Sequence, residues 1–430
     1  MSTTMKLTRR SLLTGCLGTL GGIPLEFTRP STSHAAAVSS STYLFPWEEV
    51  RNQLGRRFHD LRRHFVFEYY PWYANEPFRH WQQWDRRPPK DIAANTVPWL
   101  GPYDSRAVKV LEQHARWIAD SGVGTINISW WGQGSFSDRA VPLLMDVMGD
   151  HDIRVTFHLE PYTQDRVTRF PSDVIYLLKE FGENRRWDHF FFDERDDRSK
   201  GPVFKTFSTI HPSQIEDCHG VWQKPPDYVP DSEWRRATDR LRNTLRTDFD
   251  RITLLADSVE ARRVRAAGFD GMAPYGPFVK RADWLSYALA ASRLGLVFSF
   301  NVNPGFDEIV RRNVEPDSCY TRRPFIPRTR DLAWTKPGDR ELAKQLGERQ
   351  TKETLQWSLL LQTHPWLGNV SQGFFLVYIC SFNEWHEGTQ FEPMKNFSAL
   401  TQDERAHEYH NPSDGFYRLR HLADLIGRLL

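Results

Sequence analysis

The chain has 430 residues, and its 56 lysines and arginines nearly balance 54 aspartates and glutamates, so the formal charge is only +2. This balance, without a basic tract, argues against a dedicated nucleic-acid-binding protein, while the length allows one elaborated domain or two smaller ones. The 16 tryptophans, 14 tyrosines and 28 phenylalanines suit core packing. They also suit sugar binding, because flat aromatic faces stack on the C–H surfaces of pyranose rings.

The N-terminus is predicted to be a targeting segment. Residues 8–13 form the sequence Thr-Arg-Arg-Ser-Leu-Leu, an apolar stretch continues to Leu25, and residues 35–37 offer an Ala-Ala-Ala cleavage site. We therefore predict a twin-arginine signal peptide over residues 1–37, a linker and N-terminal extension over 38–60, and a catalytic domain over 61–430. The alternatives are an ordinary arginine pair on a disordered arm and lipidation at Cys16.

This segment also sets the expected location. No later apolar run is long enough to cross a bilayer, so we expect no membrane anchor. We expect export by the twin-arginine route, to the periplasm or out of the cell. The mature chain would keep Cys218, Cys319 and Cys380. Cys380 lies in an apolar run and is interpreted as a core residue, whereas a Cys218–Cys319 disulfide is an option that spacing alone does not establish.

Strand-like and helix-like segments alternate from about residue 65 onward, which is typical of a parallel sheet with crossover helices. The predicted strands are 64–70, 125–130, 154–159, either 189–192 or 202–207, then 252–255, 269–273, 296–300 and 376–380. Helical patterns fill the gaps, as at 107–121, 141–148 and 234–248. About eight such units predict an α/β fold, a (β/α)8 barrel with elaborated βα loops. Residues 312–352 are predicted to be a surface insertion followed by a helix.

Polar and aromatic side chains cluster where the predicted strands end. In a (β/α)8 barrel all of these ends lie on one face, which carries the active site. Aromatic walls around a few carboxylates are typical of a carbohydrate cleft, so we expect an oligosaccharide or polysaccharide as the binding partner. The candidate residues are Tyr70, Trp72, Trp130, Trp131, His158, Glu160, Tyr275, Asn383 and Glu384.

The densest of these strand ends is residues 381–393, with the sequence SFNEWHEGTQFEP. Cleavage of a glycosidic bond needs one carboxyl group to protonate the leaving oxygen and a second group on the opposite side. Glu384 and Glu387 would lie ~5–6 Å apart at Cβ in a helical turn, which is compatible with retention of configuration. Position 390 is glutamine, so the H-E-x-x-H motif is incomplete and we expect neither a metal nor a cofactor. A capped turn with solvated glutamates is the alternative interpretation.

Residues 381–390 resemble the signature of glycoside hydrolase family 99, the endo-α-1,2-mannosidases and mannanases. Weaker matches to the family follow in order along the chain, at 69–73, 80–81, 100–103, 129–131, 158–162 and 269–275. The resemblance implies a metal-independent, retaining, endo-acting (β/α)8 enzyme, in which the substrate's own 2-hydroxyl displaces the leaving group to give a 1,2-anhydro sugar. It makes Glu384 the base on that hydroxyl and Glu387 the general acid and later base.

The same resemblance assigns the binding residues. Asn383 matches a substrate-binding asparagine and Trp131 the platform of the minus-two subsite, while Glu160 and Tyr275 fit polar contacts near the cleaved sugar. The sequence departs from the family pattern at 207–210 and at 311–313, in loops that would bind the glycan.

Two other classes stay open at this point. One is another retaining α-glycosidase or α-glucanase, with Glu160 as the partner of Glu384, and Glu68 is a weaker candidate that could face the helices instead. The other is an exported sugar-binding protein without catalysis.

Overall fold

The computed structural model describes residues 45–225, 227–312, 314–315, 318–328 and 330–430. The predicted signal peptide therefore lies outside the described residues. Part of the predicted extension is described, and it contains helix α1, Trp47–Gly55. Val50 and Leu54 of this helix are buried in the main core, and Gln53 donates a hydrogen bond to the Thr363 carbonyl at 2.8 Å, so the extension packs onto the domain.

Eight parallel strands pair in chain order and form the barrel. They are β1 Phe65–Tyr69, β2 Thr125–Trp130, β3 Arg154–Leu159, β4 Lys200–Thr206, β5 Thr253–Ala256, β6 Gly271–Met272, β7 Val297–Phe298 and β8 Val377–Ile379. Strand β1 pairs with both β2 and β8, and Val302, just beyond β7, pairs in parallel with Ile379 of β8. This last bridge closes the sheet, which confirms the (β/α)8 barrel.

Helices cover the outside of the sheet, as expected from the alternating pattern. After α1 they are α2 Val108–Asp120, α3 Phe136–Asp150, α4 Arg166–Leu177, α5 Asp231–Leu245, α6 Ala261–Ala266, α7 Trp284–Arg293, α8 Pro337–Thr363, α9 Gly368–Ser371, α10 Gln402–Arg405 and α11 Tyr417–Ile426. The predicted insertion does lead into a helix, but α8 begins only at Pro337. None of the helices in the described part of the chain has the length and apolarity that crossing a membrane would need.

The structure decides between the two candidates for the fourth strand, because only residues 200–206 pair in parallel with both β3 and β5. Residues 200–206 form the barrel strand β4, whereas Phe192–Glu194 runs antiparallel to its first half. Two short hairpins, Ala74–Asn75 with Phe78–Arg79 and Ile215–Glu216 with Trp222–Gln223, lie in the loops after β1 and β4. Cys218 and Cys319 form a disulfide that ties the loop after β4 to the loop after β7.

Alternation along β1 separates the two faces of the sheet. Phe65, Phe67 and Tyr69 belong to the core between sheet and helices, while Val66 belongs to the cluster inside the barrel. Because side chains alternate with a period of two, Glu68 points inward together with Val66. The expectation that Glu68 could face the helices is therefore wrong.

Candidate active site

The backbone of residues 381–388, the turn that follows β8, is fixed by a hydrogen bond and by close packing. The Ser381 hydroxyl accepts a hydrogen bond from the Glu384 N–H at 2.8 Å, as a capping side chain does at a helix start. Gly388 has a φ of 65°, and a Cβ at this position would lie 2.7 Å from Cβ of Asp307. Glycine alone fits there, because other residues rarely adopt this φ and the added carbon would overlap.

Two aromatic side chains and one amide attach this turn to the barrel. Phe382 and Trp385 are fully buried, and burial of each such side chain stabilises the fold by about 1.5–3 kcal/mol. The Asn383 amide accepts a hydrogen bond from the Tyr70 N–H at 2.7 Å and donates one to the Tyr70 carbonyl at 3.0 Å. Asn383 also donates to the Tyr103 hydroxyl at 3.3 Å and is completely buried. It therefore joins the turn to the end of β1.

Glu384 and Glu387 both lie on this turn, and each is only 2% exposed. Oε1 of Glu384 accepts a hydrogen bond from the His386 backbone N–H at 3.0 Å and lies 3.6 Å from Nδ1 of His386. Oε2 of Glu387 accepts a hydrogen bond from the Tyr275 hydroxyl at 3.1 Å. The structure thus brings three of the predicted residues together and gives the two carboxylates different partners.

Tyr73 lies beside Glu384 and was not singled out from the sequence. Its hydroxyl accepts a hydrogen bond from the Trp385 N–H at 3.1 Å. Burial raises the pKa of Tyr73 well above its usual value, and the negative charge of Glu384 raises that pKa further. Tyr73 is therefore a neutral phenol next to a carboxylate.

Aromatic side chains from the ends of β1 and β2 form a group at the same end of the barrel. The Tyr70 and Trp72 ring centroids are 4.9 Å apart, and those of Trp72 and Trp131 are 6.0 Å apart. The half-buried Trp131 donates a hydrogen bond from Nε1 to the Ser129 hydroxyl at 3.0 Å. Tyr70, Trp72 and Tyr275 belong to one cluster, against which Trp131 packs.

Trp130 points in the opposite direction. Its Nε1 donates a hydrogen bond to Asp138 of α3 at 2.7 Å, and the ring packs in the core between sheet and helices. Trp130 and Trp131 are consecutive, so their side chains lie on opposite faces of the strand. The structure corrects the expectation that both tryptophans line the cleft, since only Trp131 is on the inner side.

The carboxylate of Glu160 lies at the end of β3 with 2% exposure. Its Oε1 accepts a hydrogen bond from the Ser129 hydroxyl at 2.7 Å, and the same hydroxyl is the acceptor for Trp131. Glu160 is thereby connected to the aromatic group through a single serine.

A polar layer inside the barrel was largely missed by the sequence analysis. Glu68 receives hydrogen bonds from Lys205 at 2.5 Å and Asn127 at 2.8 Å, and it lies 3.0 Å from Nδ1 of His158. All four side chains are fully buried. Burial alone would raise the pKa of Glu68, but Lys205 and His158 hold it well below its usual range. The predicted residue His158 therefore contacts this layer with one of its nitrogens.

Glu392 supports the turn from the other side, and its role was also missed. It is completely buried and accepts hydrogen bonds from the Tyr103 hydroxyl at 2.7 Å and from Trp385 Nε1 at 3.0 Å. Nε2 of His114 lies 3.2 Å from its other oxygen, and Nδ1 of that ring is 2.9 Å from the Tyr69 hydroxyl. This carboxylate fixes the side chain of Trp385, which lies between the two candidate catalytic glutamates in the sequence.

His386 occupies an aromatic environment beside Glu384. Its ring centroid is 4.9 Å from that of Trp84, 5.7 Å from His80, 5.9 Å from Tyr73 and 6.2 Å from Trp72. Nε2 lies 3.1 Å from the His80 carbonyl oxygen. A carbonyl can only accept, so Nε2 carries a proton and Nδ1 is the nitrogen that faces Glu384.

One group of possible metal ligands occurs among the described residues, Cys218, His219 and Cys319. The two cysteines form the disulfide, so their sulfurs are not thiolates, and thiolates are the form of cysteine that binds metals.

Comparison with known proteins gives a consistent result. The model of Glycosyl hydrolase family 99 matches residues 42–322. Glycoprotein endo-alpha-1,2-mannosidase of Xenopus laevis is 25% identical over 377 residues, covering 79% of this chain and 72% of the relative. The enzyme of the same name from Mus musculus is 24% identical over 385 residues, covering 79% and 70%.

A solved structure shares the fold. The family 99 endo-alpha-mannosidase from Bacteroides thetaiotaomicron superposes with a TM-score of 0.59 at 21% identity, covering 85% of this chain and 97% of that one. The family model spans well over half of the chain, and the turn 381–388 presents two carboxylates at the end of the barrel where such enzymes carry their chemistry. The chain therefore belongs to glycosyl hydrolase family 99 and is a glycoside hydrolase.

Proposed function

We propose that this enzyme is an endo-acting α-1,2-mannosidase that cleaves mannan or mannose-containing glycans with retention of configuration. The observation that supports it most is the pair Glu384 and Glu387, buried on one turn at the barrel end and hydrogen-bonded to different groups. The names of the relatives, which are endo-alpha-1,2-mannosidases, support the linkage and the internal mode of attack.

In the proposed first step, Glu384 takes the proton from the 2-hydroxyl of the mannose whose bond is cleaved. O2 then attacks C1 from the face opposite the leaving group, the C1–O bond to the leaving sugar breaks, and Glu387 gives its proton to that oxygen. The product is a 1,2-anhydro sugar. An axial 2-hydroxyl suits this attack, because it lies behind the anomeric carbon without further rearrangement.

In the second step, Glu387 takes a proton from water while the water oxygen attacks C1. The C1–O2 bond opens and Glu384 returns its proton to O2. Each step inverts C1, so the overall configuration is retained. Contact with the Tyr275 hydroxyl suits Glu387 to this exchange, since a neutral donor holds the carboxyl in place whether or not it carries the proton.

The other predicted residues receive either binding or supporting roles in this proposal. Trp131, with Tyr70 and Trp72 behind it, offers an aromatic platform for a sugar ring. Glu160 accepts hydrogen bonds from sugar hydroxyls beside it. We assign Asn383 to positioning, because its amide is bonded on both sides to the backbone of Tyr70, and His158 to the layer below the site.

The test is digestion of α-1,2-linked mannan and of short α-1,2-manno-oligosaccharides, followed by NMR of the freshly formed products. Internal cleavage gives oligosaccharides before monosaccharide appears, and retention gives the α-anomer first. Absence of cleavage of every α-mannoside, or initial formation of the β-anomer, contradicts the proposal. Activity that survives Glu387→Gln but is lost in Glu160→Gln would instead favour another retaining α-glycosidase that uses Glu384 with Glu160.

We also propose that residues 1–37 direct the enzyme out of the cytoplasm by the twin-arginine route and are removed, leaving the mature chain from residue 38. The Cys218–Cys319 disulfide supports an oxidising destination. Replacing both Arg9 and Arg10 by lysine is expected to retain the full-length chain in the cytoplasm. N-terminal sequencing of exported protein locates the cleavage site, and export unaffected by the double replacement would contradict this route.

A further inference from the structure

The barrel interior below the candidate active site contains an ion pair for which the proposed chemistry gives no role. Glu68 of β1 and Lys205 of β4 are both completely buried, and Oε1 and Nζ are 2.5 Å apart. Barrel interiors are usually filled by branched apolar side chains. Burying two ions is costly and often stabilises the fold no better than apolar residues of similar volume, so stability alone does not account for this pair.

Lys205 is connected to the reacting groups by two contacts. Its Nζ lies 5.6 Å from the ring centroid of Tyr275, within the range of a cation–π attraction. The hydroxyl of Tyr275 donates the 3.1 Å hydrogen bond to Glu387. The ammonium therefore helps to hold the ring in place, and by drawing electron density from the ring it makes the hydroxyl a stronger donor to an ionised carboxylate.

We propose that Lys205 and Glu68 are positioning residues that set the proton affinity of Glu387, acting through Tyr275 and through their charges. Lys205 favours the ionised form of Glu387, Glu68 opposes it, and the pair leaves a balanced charge beneath the catalytic turn. This inference rests on the catalytic roles proposed above for Glu384 and Glu387.

Other ionisable groups face the pair from the surrounding strands. His158 of β3 contacts Glu68, and Tyr378 of β8 has its ring centroid 4.5 Å from Nζ of Lys205. Burial raises the pKa of Tyr378 well above its usual value, and Glu68 and Asp193 raise it further, so Tyr378 is neutral. The side chains in contact within this layer that can carry a charge are therefore Glu68, Lys205 and His158.

Other ionisable residues lie near Glu387 itself. Glu384 and His386 lie on the same turn, and Asp307, after β7, donates its backbone N–H to the Glu387 carbonyl at 2.8 Å. The Asp307 carboxylate is 2.6 Å from Nδ1 of His410 and 3.7 Å from Arg322. These neighbours stay unchanged in the variants proposed below, so a shift in the pH profile reports the interior pair.

The decisive experiment measures kcat/KM against pH for Lys205→Met and Glu68→Gln on one α-1,2-manno-oligosaccharide. The alkaline limb reports the loss of the Glu387 proton in the free enzyme. Lys205→Met leaves the Glu68 charge unbalanced and moves this limb upward by on the order of 0.5–1 pH unit, whereas Glu68→Gln moves it downward by a similar amount. Opposite shifts are not expected from a loss of packing.

The double variant E68L/K205M removes both charges without leaving an unpaired one. Its alkaline limb is expected at the wild-type position, while kcat falls roughly 3–10-fold at unchanged KM because Tyr275 loses its cation. If neither single variant folds, the kcat of the double variant becomes the test. A wild-type kcat in the double variant overturns the inference.

A matched control lies at the other end of the barrel. Asp193 and Arg195 form a similarly buried pair, with Nε and Oδ2 2.5 Å apart and both side chains 2% exposed. D193L/R195M is expected to leave both the pH profile and kcat at their wild-type values, so a fall in kcat confined to E68L/K205M is not a general effect of removing a buried ion pair. If Glu387→Gln is inactive but the alkaline limb stays fixed in both Lys205→Met and Glu68→Gln, the role of the interior pair is contradicted and the proposed function is not. If Glu387→Gln is fully active, the proposed function itself is contradicted.

Discussion

The two ends of the barrel both bury carboxylates, but different kinds of group hold them. At the C-terminal end, Glu384 and Glu387 accept hydrogen bonds from a backbone N–H and from a phenol hydroxyl. At the N-terminal end, Asp193 is bound by the guanidinium of Arg195, which also donates to the Gln372 carbonyl at 3.0 Å. The burial is nearly the same, and the chemistry of the donor differs.

This difference separates carboxylates that can exchange protons from those that hold the fold together. A guanidinium is not deprotonated in proteins, so its partner keeps a fixed counter-charge. A neutral donor contributes a hydrogen bond without fixing the charge of the acceptor. Substitutions at the two ends are therefore expected to have opposite consequences for activity and for stability.

Replacing Glu384 or Glu387 by glutamine tests the C-terminal half of the comparison. Each change keeps the volume and removes the exchangeable proton, so kcat is expected to fall by about 10²–10⁴-fold. The melting temperature should stay the same or rise slightly, because residues placed for catalysis are seldom the most stable choice. Steady-state kinetics with thermal unfolding of the same preparations checks both parts. A large fall in melting temperature would instead show that these glutamates stabilise the folded protein.

Arg195→Met tests the N-terminal half. It leaves Asp193 buried without its counter-charge, and the free energy of unfolding is expected to fall by about 3–5 kcal/mol. Activity per folded molecule should be unchanged, since the pair lies at the start of β4, at the opposite end from the turn. Chemical denaturation and active-site-normalised kinetics separate the two effects. Loss of activity without loss of stability would contradict the division between the ends.

Much of the fold was predictable because the barrel strands have clear sequence patterns. The bounds of β2 and β3 agree residue for residue with the expectation. Strands β6 and β7 are only two residues long, shorter than predicted, because an extended apolar run does not specify where its neighbours pair. The fourth strand was ambiguous for a related reason, since both candidate segments contain extended chain and pair with each other.

The site was predictable where function follows from position along the chain, and less so where it depends on the direction of a side chain. The two glutamates were found because they directly follow a buried strand. Trp130 was misplaced because the identity of a residue does not show which face of the strand it occupies. Glu68 and Lys205 are isolated charges in two apolar strands, and alternation along β1 already places Glu68 inward. Their pairing across the barrel needed the structure.

Glu392 provides an intermediate case between the two ends. It lies near the turn, yet its hydrogen bonds come from Tyr103, Trp385 and the neighbouring His114. Glu392→Gln would direct an amide N–H₂ toward one of these donors, and the free energy of unfolding should fall by about 1–3 kcal/mol. Trp385 lies between Glu384 and Glu387 in the sequence, so a displaced Trp385 would shift the backbone that positions both carboxylates, and kcat should fall as well. Unfolding measurements and kinetics on one preparation check whether stability and kcat fall together. A change in only one of them would show that Glu392 supports either the fold or the catalytic turn, but not both.

Tyr275→Phe gives the smallest expected effect and the sharpest control. It removes one hydrogen bond to Glu387, which is expected to lower kcat roughly 3–10-fold with little change in stability. Tyr378 is the matched residue, because its ring also lies beside Lys205, and its buried hydroxyl has no hydrogen-bond partner among the described residues. Tyr378→Phe should therefore leave kcat unchanged and leave stability equal or slightly higher, because a buried hydroxyl without a partner is costly. Both replacements keep the aromatic ring beside Lys205, so equal kinetic effects would contradict a specific contribution of the hydrogen bond to Glu387.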